Sequence, residues 1–593
     1  MSRRFATVSV IGLGTTGSAV AGMLARSGRR VICIEAHAAA LERARGRIAD
    51  AGAGEVEFSL CVADAARSDL VIEAVPERME IKRAVLERAV AACSPRTVFV
   101  TTTGGLSVTE LAFAVGCTER LAGLHLFPGG DDSGELAMEV VATPLTAGQV
   151  LTDLEELVHD MDGSPVRVAD RAGFLGSGLT MAYLNSAVAM HEQGYATRDS
   201  IDTAMRLGCG LRRGPLAQLD AMGIDTARDT LEALYRRTGD RRYQPQQTLG
   251  QMVSAGLLGR KSGRGFYDYS QSAERDSSPE GGDPAPARGA QRAVRTIGVV
   301  GSGVMAMGIA EVCARAGYRT VLVARTGSRA AEAVQAVVRS TDRAVQRGKL
   351  TPGMRAEVRE RLTGAFGFEA LAACELVIEA VAEDIDVKRS VFAGLDRVCA
   401  PGAVLATSTS SLPVIECARA TGRPEDVVGM HFFNPAPVMR LVEVARTVLT
   451  SPEALETVHG VTRRLGKQAV ECRDRTGFIV NALLFPYLNA AVTMLRDGRE
   501  SAADIDEVMV KGGVFPVGPL QLLDIVGLDI SLAIQRSLYA AFRDPSLEPA
   551  RYLEQFVAAG YTGRKSGRGF RTTGGTASAG SSRNGSDVVG APA

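Results

Sequence analysis

The chain has 593 residues, 46% hydrophobic and 23% charged, which is typical of globular proteins and predicts several domains. Its 67 Lys and Arg residues balance 67 Asp and Glu residues, so the net charge is zero and no nucleic-acid-binding face is indicated. Ten scattered cysteines without a CxxC pair argue against a disulfide framework or a zinc site, and the apolar runs are too short to span a bilayer. The N-terminus, MSRRFATVSVIGLG, enters a strand too early for a signal peptide, so we expect a cytoplasmic protein without a metal.

The first predicted element is an apolar strand at residues 6–12 that ends in a glycine-rich turn. Gly12-x-Gly14-x-x-Gly17 is followed by a helix pattern and by a second strand, VICI, that ends at Glu35. Glycines in this register let backbone N–H groups approach a pyrophosphate at a helix N-terminus, and the acid can bind the ribose hydroxyls of NAD. The pattern predicts an NAD-binding domain; the alternative is a tight turn that binds no nucleotide.

The second half of the chain repeats the first half in five blocks that keep the same order. VSVIGLGTTG near residue 8 returns as IGVVGSGVMA near residue 297, and DLVIEAVPERMEIKR returns as ELVIEAVAEDIDVKR from Glu375. DRAGFLGSGLTMAYLNSAV and GPLAQLDAMGIDT have counterparts at Asp474 and Gly518, and GRKSGRGF occurs twice unchanged. Five ordered matches indicate a tandem duplication.

The second copy has its own glycine-rich turn, with Gly301, Gly303 and Ala306 in the three small-residue positions. Its second strand, TVLVA, ends at Ala324, so the acid is missing and Arg325 follows. Loss of the carboxylate with arginines beside it is one way to accommodate a 2′-phosphate. The second copy is therefore predicted to bind NAD, with NADP possible; the alternative is that the arginines are solvated and NAD binds through the glycines.

Each copy is predicted to be an α/β Rossmann-type domain followed by an all-α domain. Strands alternate with helices up to Asp170 and Asp474, after which long helical patterns appear. These helices are so apolar that we expect an intramolecular pseudo-dimer or a homo-oligomer. The predicted segments are residues 1–169 and 170–269, a Ser-, Gly- and Pro-rich flexible linker at 270–293, 294–473 and 474–571, and a disordered tail at 572–593.

The stretch VGMHFFNPAPVMRLVEV, residues 428–444, carries the strongest indication of chemistry. His431 lies in a turn rich in Phe, Pro and Asn, and Glu443 follows on a short apolar run. A histidine made more basic by a carboxylate is the usual arrangement for moving a proton to or from an alcohol. The alternative is a core histidine beside a surface glutamate.

Both copies resemble the 3-hydroxyacyl-CoA dehydrogenases over nearly the whole chain apart from the linker and the tail. The matching signatures are the GxGxxG/A turn, ELVIEAVAED, STSSL, GMHFFNPAPVMRLVEV, RTGFIVNALLFPYLN, PVGPLQLLDIVGLD and GRKSGRGF. The family oxidises the 3-hydroxyl of an acyl-CoA thioester to a ketone with NAD as the hydride acceptor, or runs the reverse. The resemblance implies an acyl-CoA substrate with a short or dicarboxylic acyl group, and the tandem form is similar to bacterial members associated with phenylacetate-type degradation.

Carried over to the matching positions, the resemblance implies a catalytic group in the second copy. His431 is expected to take the proton from the 3-hydroxyl, and Glu443 to orient the imidazole and stabilise its charged form. Ser410 and Asn481 match positions that hydrogen-bond the reacting oxygens. The structural alternatives are a helix cap for Ser410 and an interhelix hydrogen bond for Asn481.

The resemblance also implies residues that hold the cofactor and the CoA group. Four positions match cofactor contacts of the family, namely Glu383, Lys388, Asn434 and Lys565. Ser340 and Arg347 fall where a helical hairpin of the family holds the CoA moiety. The alternatives are an exposed helical pair for Glu383 and Lys388 and a solvated side chain for Arg347.

The first copy departs from the family pattern at the chemistry. It retains His125 and Glu139, but they are 14 residues apart, whereas His431 and Glu443 are 12 apart. Gly104 replaces the catalytic serine, Ser177 replaces the asparagine, and Pro128-Gly129 replaces the Asn-Pro pair.

The segment that should hold CoA is also shorter in the first copy. Glu35 and Glu73 are 38 positions apart, whereas Ala324 and Glu379 are 55 apart, so 17 residues are missing where the hairpin would be. We therefore expect the first copy to keep the fold without oxidising acyl-CoA. Two other functions stay open for the whole chain: a dehydrogenase of another 3-hydroxy acid, and a nucleotide-binding scaffold without turnover.

Overall fold

The computed structural model describes residues 4–49, 55–126, 136–270, 290–498 and 500–571. The predicted tail, most of the predicted linker (271–289) and the Pro128-Gly129 pair lie outside these residues. The described chain forms two α/β units, each followed by a group of helices, which confirms the predicted fold class.

The first α/β unit is built on one sheet of eight strands. These strands are β1 (Thr7–Ile11), β2 (Arg30–Ile34), β3 (Val56–Ser59), β4 (Leu70–Glu73), β5 (Val98–Thr101), β6 (Leu121–Leu126), β7 (Leu136–Ala142) and β8 (Gly163–Ala169). Their order in space is β3-β2-β1-β4-β5-β6-β7-β8, and neighbours run parallel except for β6 and β7. Apolar strand residues such as those of β4 and β5 are buried because helices cover both faces of the sheet.

The first copy continues from the sheet into its helical domain. The helices of the sheet unit are α1 (Thr15–Arg26), α2 (Ala38–Ala49), α3 (Met79–Ala92), α4 (Val108–Ala114) and α5 (Gly148–Asp160). The helical domain comprises α6 (Gly176–Glu192), α7 (Arg198–Cys209), α8 (Pro215–Met222), α9 (Ile224–Thr238) and α10 (Gln247–Ser254).

The second copy repeats this sheet in the same order and with the same antiparallel neighbours. Its strands are β9 (Thr296–Val300), β10 (Arg319–Ala324), β11 (Leu362–Phe366), β12 (Leu376–Glu379), β13 (Val404–Thr407), β14 (Val427–Phe432), β15 (Leu441–Arg446) and β16 (Gln468–Arg473). The strand order reverses between β9 and β12, so a crevice opens at the carboxyl ends of these strands, where open α/β sheets bind ligands.

The helices of the second copy differ from those of the first mainly after the second strand. Around the sheet lie α11 (Val304–Arg315), α12 (Gly327–Gln346), α13 (Pro352–Arg361), α14 (Ile385–Val398), α15 (Val414–Ala418) and α16 (Pro452–Arg464). The helical domain comprises α17 (Val480–Arg496), α18 (Ala502–Lys511), α19 (Pro519–Val526), α20 (Leu528–Phe542) and α21 (Arg551–Ala558). The helices α12 and α13, of 20 and 10 residues, form the hairpin for which the first copy has only the 12 residues of α2.

The two copies pack together through their helical domains. Helix α6 lies against α17, and their tyrosines, Tyr183 and Tyr487, both contact Phe515, at ring-centroid distances of 5.3 and 4.3 Å. Helix α7 of the first copy packs on β15 and β16, and α18 of the second copy packs on β7 and β8. One apolar core therefore runs through both helical domains, while the far face of each sheet has a core of its own.

Three further features of the described residues bear on partners. All ten cysteines are free thiols. In the part of the chain that the structure describes, no group of three or more His, Cys, Asp and Glu residues could hold a metal ion. Within the same residues no single helix meets the length and apolarity needed to cross a bilayer, and α19 with α20 meets them only as a pair bent by 101°.

Candidate active site

The histidine and the glutamate that the sequence singles out lie side by side on neighbouring strands. His431 on β14 is directly opposite Glu443 on β15, and Nδ1 of the imidazole lies 2.7 Å from Oε2 of the carboxylate. Both side chains are buried, at 2% and 0% exposure. Since Nδ1 is engaged by the carboxylate, Nε2 is the nitrogen that faces away from Glu443 and can exchange a proton with a ligand.

The carboxylate of Glu443 is itself fixed by the start of a helix. Its second oxygen, Oε1, accepts hydrogen bonds from the backbone N–H groups of Ile479 and Val480, at 3.0 and 2.9 Å. These N–H groups belong to the first turn of α17, where the helix dipole favours a negative charge. Phe433 and Phe478 flank the imidazole, with ring centroids 4.4 and 5.7 Å away. The sequence does not reveal this support, because backbone donors leave no residue-type signal.

Ser410 and Asn481 lie together beside a loop that Glu383 holds in place. The amide of Asn481 donates to the backbone carbonyl of Ser410 at 3.2 Å, and Oε1 of Glu383 accepts from the N–H of Ser410 at 2.9 Å and from that of Ser411 at 3.1 Å. Thr409 donates its hydroxyl to the same oxygen at 2.6 Å. Glu383 therefore shapes the turn that carries Ser410, and neither structural alternative applies, since Ser410 caps no helix and Asn481 contacts a loop.

Burial opposes ionisation of Glu383, but the charge of Lys388 and the hydrogen bonds from the loop outweigh burial and lower the pKa of this carboxyl. Lys388 itself is 1% exposed, and its ammonium donates to both oxygens of Glu379, at 2.9 and 3.0 Å. Thr407 donates to Glu379 as well, at 2.7 Å. Glu383 and Lys388 are therefore not an exposed helical pair, and Glu379 is a member of the network that sequence reasoning missed.

A cleft of about 740 Å³ opens at the carboxyl ends of the central strands of the second sheet. Gly301, Gly303 and Arg325 line it, together with apolar side chains that include Phe368 and Val391. A Cβ on Gly301 would collide with the backbone carbonyl of Ala380, whereas one on Gly303 would meet no atom within 4 Å. The turn therefore presents its backbone to open space, which suits a dinucleotide pyrophosphate.

The other predicted cofactor residues lie in different surroundings. Ala306 is buried in α11, against the turn. Asn434 follows β14, is partly exposed, and forms a cis peptide bond with Pro435. Lys565 is not among the residues that line the cleft; its ammonium pairs with Asp529 in the first turn of α20, at 2.5 Å.

The two predicted CoA residues lie on the hairpin. Ser340 is on α12 and hydrogen-bonds with Glu311 of α11. Burial raises the pKa of Glu311, although the hydrogen bond from Ser340 and the charge of Arg315 act in the opposite direction. Arg347 ends α12 and is exposed to solvent. One of these residues is therefore hydrogen-bonded to the neighbouring helix and the other is open to solvent, and their role in holding CoA stays a prediction.

The first copy has the same pair of side chains but a different third partner. His125 and Glu139 face each other on β6 and β7, with 2.6 Å between Nδ1 and Oε2, and Leu175 and Gly176 donate to the second oxygen. The hydroxyl of Ser177 lies 3.0 Å from Nε2 of His125.

A Cβ on Gly104 would lie only 2.9 Å from that hydroxyl and 3.3 Å from Nε2. Glycine at position 104 therefore leaves the space that the hydroxyl of Ser177 occupies. This hydroxyl contacts Nε2 of His125, whereas the second copy leaves Nε2 of its histidine for a ligand. Glu77 takes the place of Glu383, since it accepts from the N–H groups of Gly104 and Gly105, at 3.0 and 2.8 Å.

The first glycine-rich turn is also occupied by the protein's own side chains. Glu35 accepts from the backbone N–H of Leu13 at 3.0 Å, and Arg47 donates to the carbonyl of Leu13 at 2.8 Å. A Cβ on Gly14 would meet nothing within 4 Å, whereas Gly12 and Gly17 pack too closely for any side chain. The turn has the expected form, and its acid already has two backbone partners, since the N–H of His37 also donates to Glu35, at 3.4 Å.

Comparison with known proteins agrees with the duplication. The model of the 3-hydroxyacyl-CoA dehydrogenase NAD-binding domain matches residues 7–171 and 296–475, and that of the C-terminal domain matches residues 173–269 and 477–573. A 3-hydroxybutyryl-CoA dehydrogenase of Mycobacterium tuberculosis is 44% identical over 282 residues, which are 47% of this chain and 99% of the relative. A 3-hydroxyadipyl-CoA dehydrogenase of Escherichia coli is 39% identical over 277 residues, 46% of this chain and 58% of the relative.

The crystal structure of 3-hydroxybutyryl-CoA dehydrogenase from Escherichia coli K12 covers 94% of this chain and 98% of its own, with a TM-score of 0.60 and 22% identity, and so shares the fold. The family matches cover both domains of both copies. The chain therefore belongs to the 3-hydroxyacyl-CoA dehydrogenase family, with the NAD-binding and the C-terminal domain each present twice.

Proposed function

We propose that this protein is a reversible 3-hydroxyacyl-CoA dehydrogenase whose single working active site lies in the second copy. One observation carries the proposal: the imidazole of His431 is bound through Nδ1 to a buried carboxylate, on the same sheet whose central strands end at a cleft that suits a dinucleotide. The family membership and the names of the relatives support the activity, and a short acyl group agrees with the 3-hydroxybutyryl-CoA dehydrogenases among them.

In the oxidation direction, Nε2 of His431 accepts the proton of the 3-hydroxyl, and Glu443 stabilises the imidazolium that forms. The N–H groups at the start of α17 hold the carboxylate of Glu443 in place, so that the ring of His431 does not rotate away. The hydroxyl of Ser410 donates to Glu383 and the amide of Asn481 donates to the carbonyl of Ser410, each at 3.2 Å, and both side chains would exchange these partners for the reacting oxygen when substrate binds. The nicotinamide cofactor, when bound, supplies the acceptor for the hydride that leaves C3.

The fit of the second cleft to that cofactor rests on its open backbone turn. Gly301 and Gly303 would hold the pyrophosphate, and Glu383 and Asn434 would lie towards the nicotinamide half. Arg325 lines the cleft without an acidic neighbour at the end of β10, so we propose that the second copy accepts NADPH as well as NADH.

We propose that the first copy does not oxidise acyl-CoA. Ser177 satisfies Nε2 of His125, so the nitrogen that would accept the substrate proton already has a partner. The hairpin that would hold CoA is reduced to α2. The role of this copy is structural: its helical domain covers the apolar helices that a partner subunit would otherwise have to bury.

Steady-state kinetics with 3-ketoacyl-CoA thioesters of increasing chain length, each with NADH and NADPH, test this function. We expect turnover of acetoacetyl-CoA with either cofactor. In Arg325→Ala the kcat/KM with NADPH should fall about tenfold, because one charge-assisted hydrogen bond to the cofactor is lost. Turnover of free 3-hydroxy acids instead of thioesters would favour another dehydrogenase on this scaffold. No change at 340 nm with any substrate would favour a nucleotide-binding scaffold.

The ten free thiols favour a reducing compartment, and we propose the cytoplasm.

A further inference from the structure

A second cavity lies where the helical domain of the first copy meets the second copy. It measures about 760 Å³ and shares no lining residue with the nucleotide cleft. Gln193 and Tyr195 of the first copy form one wall. The opposite wall belongs to the second copy and comprises Pro413, Ile415, residues 473–476, Phe542, Asp544 and Leu547.

Arg475 is the most unusual group in this cavity. Its guanidinium lies between the rings of Tyr195 and Phe542, 5.1 and 4.5 Å from their centroids. Nε is buried and has no hydrogen-bond partner among the described residues, and Nη1 donates only to Gln193, at 3.4 Å. Burial lowers the pKa of Arg475, as expected for a cation that loses water without gaining a carboxylate.

The carboxylates that line the cavity are engaged elsewhere. Asp474 accepts from the backbone N–H groups of Val414 and Ile415, at 2.9 and 2.7 Å. Asp544 accepts from the N–H of Ser546 at 2.9 Å. Within the described ranges neither aspartate forms an ion pair with Arg475. A second arginine of the wall, Arg473, is exposed and has no ion pair among the same residues. The two aspartates balance the two arginines in formal charge, but backbone N–H groups hold both carboxylates, so the guanidinium of Arg475 has no carboxylate partner among the described residues.

The duplication supplies an internal comparison. Arg171 is the counterpart of Arg475 in the first copy, and its guanidinium lies 3.3 Å from the buried carboxylate of Glu500. Glu500 directly precedes the N-cap of α18, Ser501; the residue that precedes the N-cap of α7, Thr197, is Ala196. The junction thus provides a carboxylate for the arginine of one copy and a methyl group at the corresponding position of the other.

We propose that this junction cavity binds a small anion, the carboxylate or phosphate group of a metabolite, whose oxygens take at Arg475 the position that Glu500 takes at Arg171. Leaving a partly buried cation without a counter-ion costs free energy, whereas a carboxylate or phosphate forms charge-assisted hydrogen bonds with a guanidinium. Arg473 adds a second positive charge, and the apolar side chains of Ile415, Phe542 and Leu547 suit a short carbon chain behind the anionic group.

Isothermal titration calorimetry on the full chain tests the proposal, with NADH at saturation so that the nucleotide clefts are filled. Inorganic phosphate and succinate are titrated in separate arms, and the arm with the tighter binding identifies the source of the anion. We expect saturable binding of at least one of them, weakened at least tenfold in Arg475→Gln. The matched variant Arg171→Gln, at the arginine that already has a carboxylate, should bind within about twofold of the wild type.

Ala196→Glu provides a second test that does not remove a charge. It supplies in the first copy the carboxylate that Glu500 supplies in the second, so it should abolish anion binding and raise the melting temperature without anion by about 2 °C or more. The proposal is overturned if neither anion binds saturably to the wild type, or if Arg475→Gln and Ala196→Glu both bind as tightly as the wild type.

Discussion

At the scale of single residues, the two copies show that a histidine paired with a carboxylate does not define an active site. The distance from Nδ1 to the carboxylate is 2.7 Å in the second copy and 2.6 Å in the first, and in both copies a helix start holds the acid. The difference lies at the other nitrogen. Ser177 occupies Nε2 of His125, whereas the amide of Asn481 is directed to the carbonyl of Ser410.

Glu383→Gln tests how the loop that carries Ser410 is held. The pKa of Glu383 is lowered in the folded protein, so its stabilisation is present above the usual pKa of a glutamate and is lost as the pH falls through the lowered value. We expect the free energy of unfolding of the variant at pH 7 to be lower than that of the wild type by roughly 1 kcal/mol, a small loss because the side chain is 37% exposed and the amide oxygen still accepts hydrogen bonds. This difference should shrink by pH 4.

The matched control is Glu77→Gln, which removes the same negative charge from the group that accepts the hydrogen bonds of the first-copy loop. Differential scanning calorimetry and steady-state kinetics on both variants separate stability from catalysis. Glu383→Gln should lower kcat, whereas Glu77→Gln should leave it unchanged. Equal losses of kcat in the two variants would contradict the assignment of the working site.

Sequence patterns could predict the types of the reacting residues but not the contacts that fix them. Recognisable motifs contain His431, Glu443, Ser410 and Asn481, so the sequence is enough to group them as candidate residues of one site. Glu379 stands in a motif as well, yet the sequence does not show that its carboxylate is fully buried and paired with the ammonium of Lys388. Burial of an ion pair depends on which helices cover the strand, and that is a property of the tertiary structure.

At the scale of elements, the hairpin of α12 and α13 is the main difference between the copies. It follows β10 at the position where the first copy returns to the sheet after α2. The 17-residue difference in length could be counted from the sequence because the two repeats supply each other's reference. The sequence could not tell that the hydroxyl of Ser340 would hydrogen-bond with Glu311, because that contact depends on how α12 packs on α11.

Arg347→Glu tests whether this hairpin holds the CoA moiety. Arg347 is exposed, so reversing its charge should leave the fold intact while repelling the phosphates of CoA. We expect the KM for acetoacetyl-CoA to rise about tenfold with little change in kcat, because the lost contact stabilises the bound substrate and the transition state equally. Arg339→Glu, an exposed position of the same helix, is the control. An equal rise in KM in both variants would point to overall charge instead.

At the scale of the whole molecule, the first copy lies directly behind the site of the second. Gly208 of α7 packs on Val480 and Leu441. Val480 is the first residue of α17 and Leu441 the first residue of β15, the helix and the strand that position Glu443. The sequence predicted that the helical domains would pack together, since both are apolar. It could not predict which helix would cover which strand, because many pairings bury the same surface.

Gly208→Leu tests this support from the first copy. A Cβ at this position would lie 2.9 Å from Val480 and 3.1 Å from Leu441, so a larger side chain must displace them. Overpacking of this kind costs about 1–3 kcal/mol, and we expect kcat to fall although the change lies outside the active copy. Gly250→Leu is the control, because a Cβ at Gly250 meets nothing within 4 Å. Unchanged kcat in a well-folded Gly208→Leu would contradict the coupling.

The most direct test of the account compares His431→Ala with His125→Ala in the full chain, by the kcat/KM for acetoacetyl-CoA reduction. Loss of the proton-transferring imidazole should lower kcat/KM by roughly 10² to 10⁴ in His431→Ala. His125→Ala should stay within about twofold of the wild type, because its Nε2 already belongs to Ser177. Substantial turnover that survives His431→Ala, or an equal loss in His125→Ala, would contradict a single working site in the second copy.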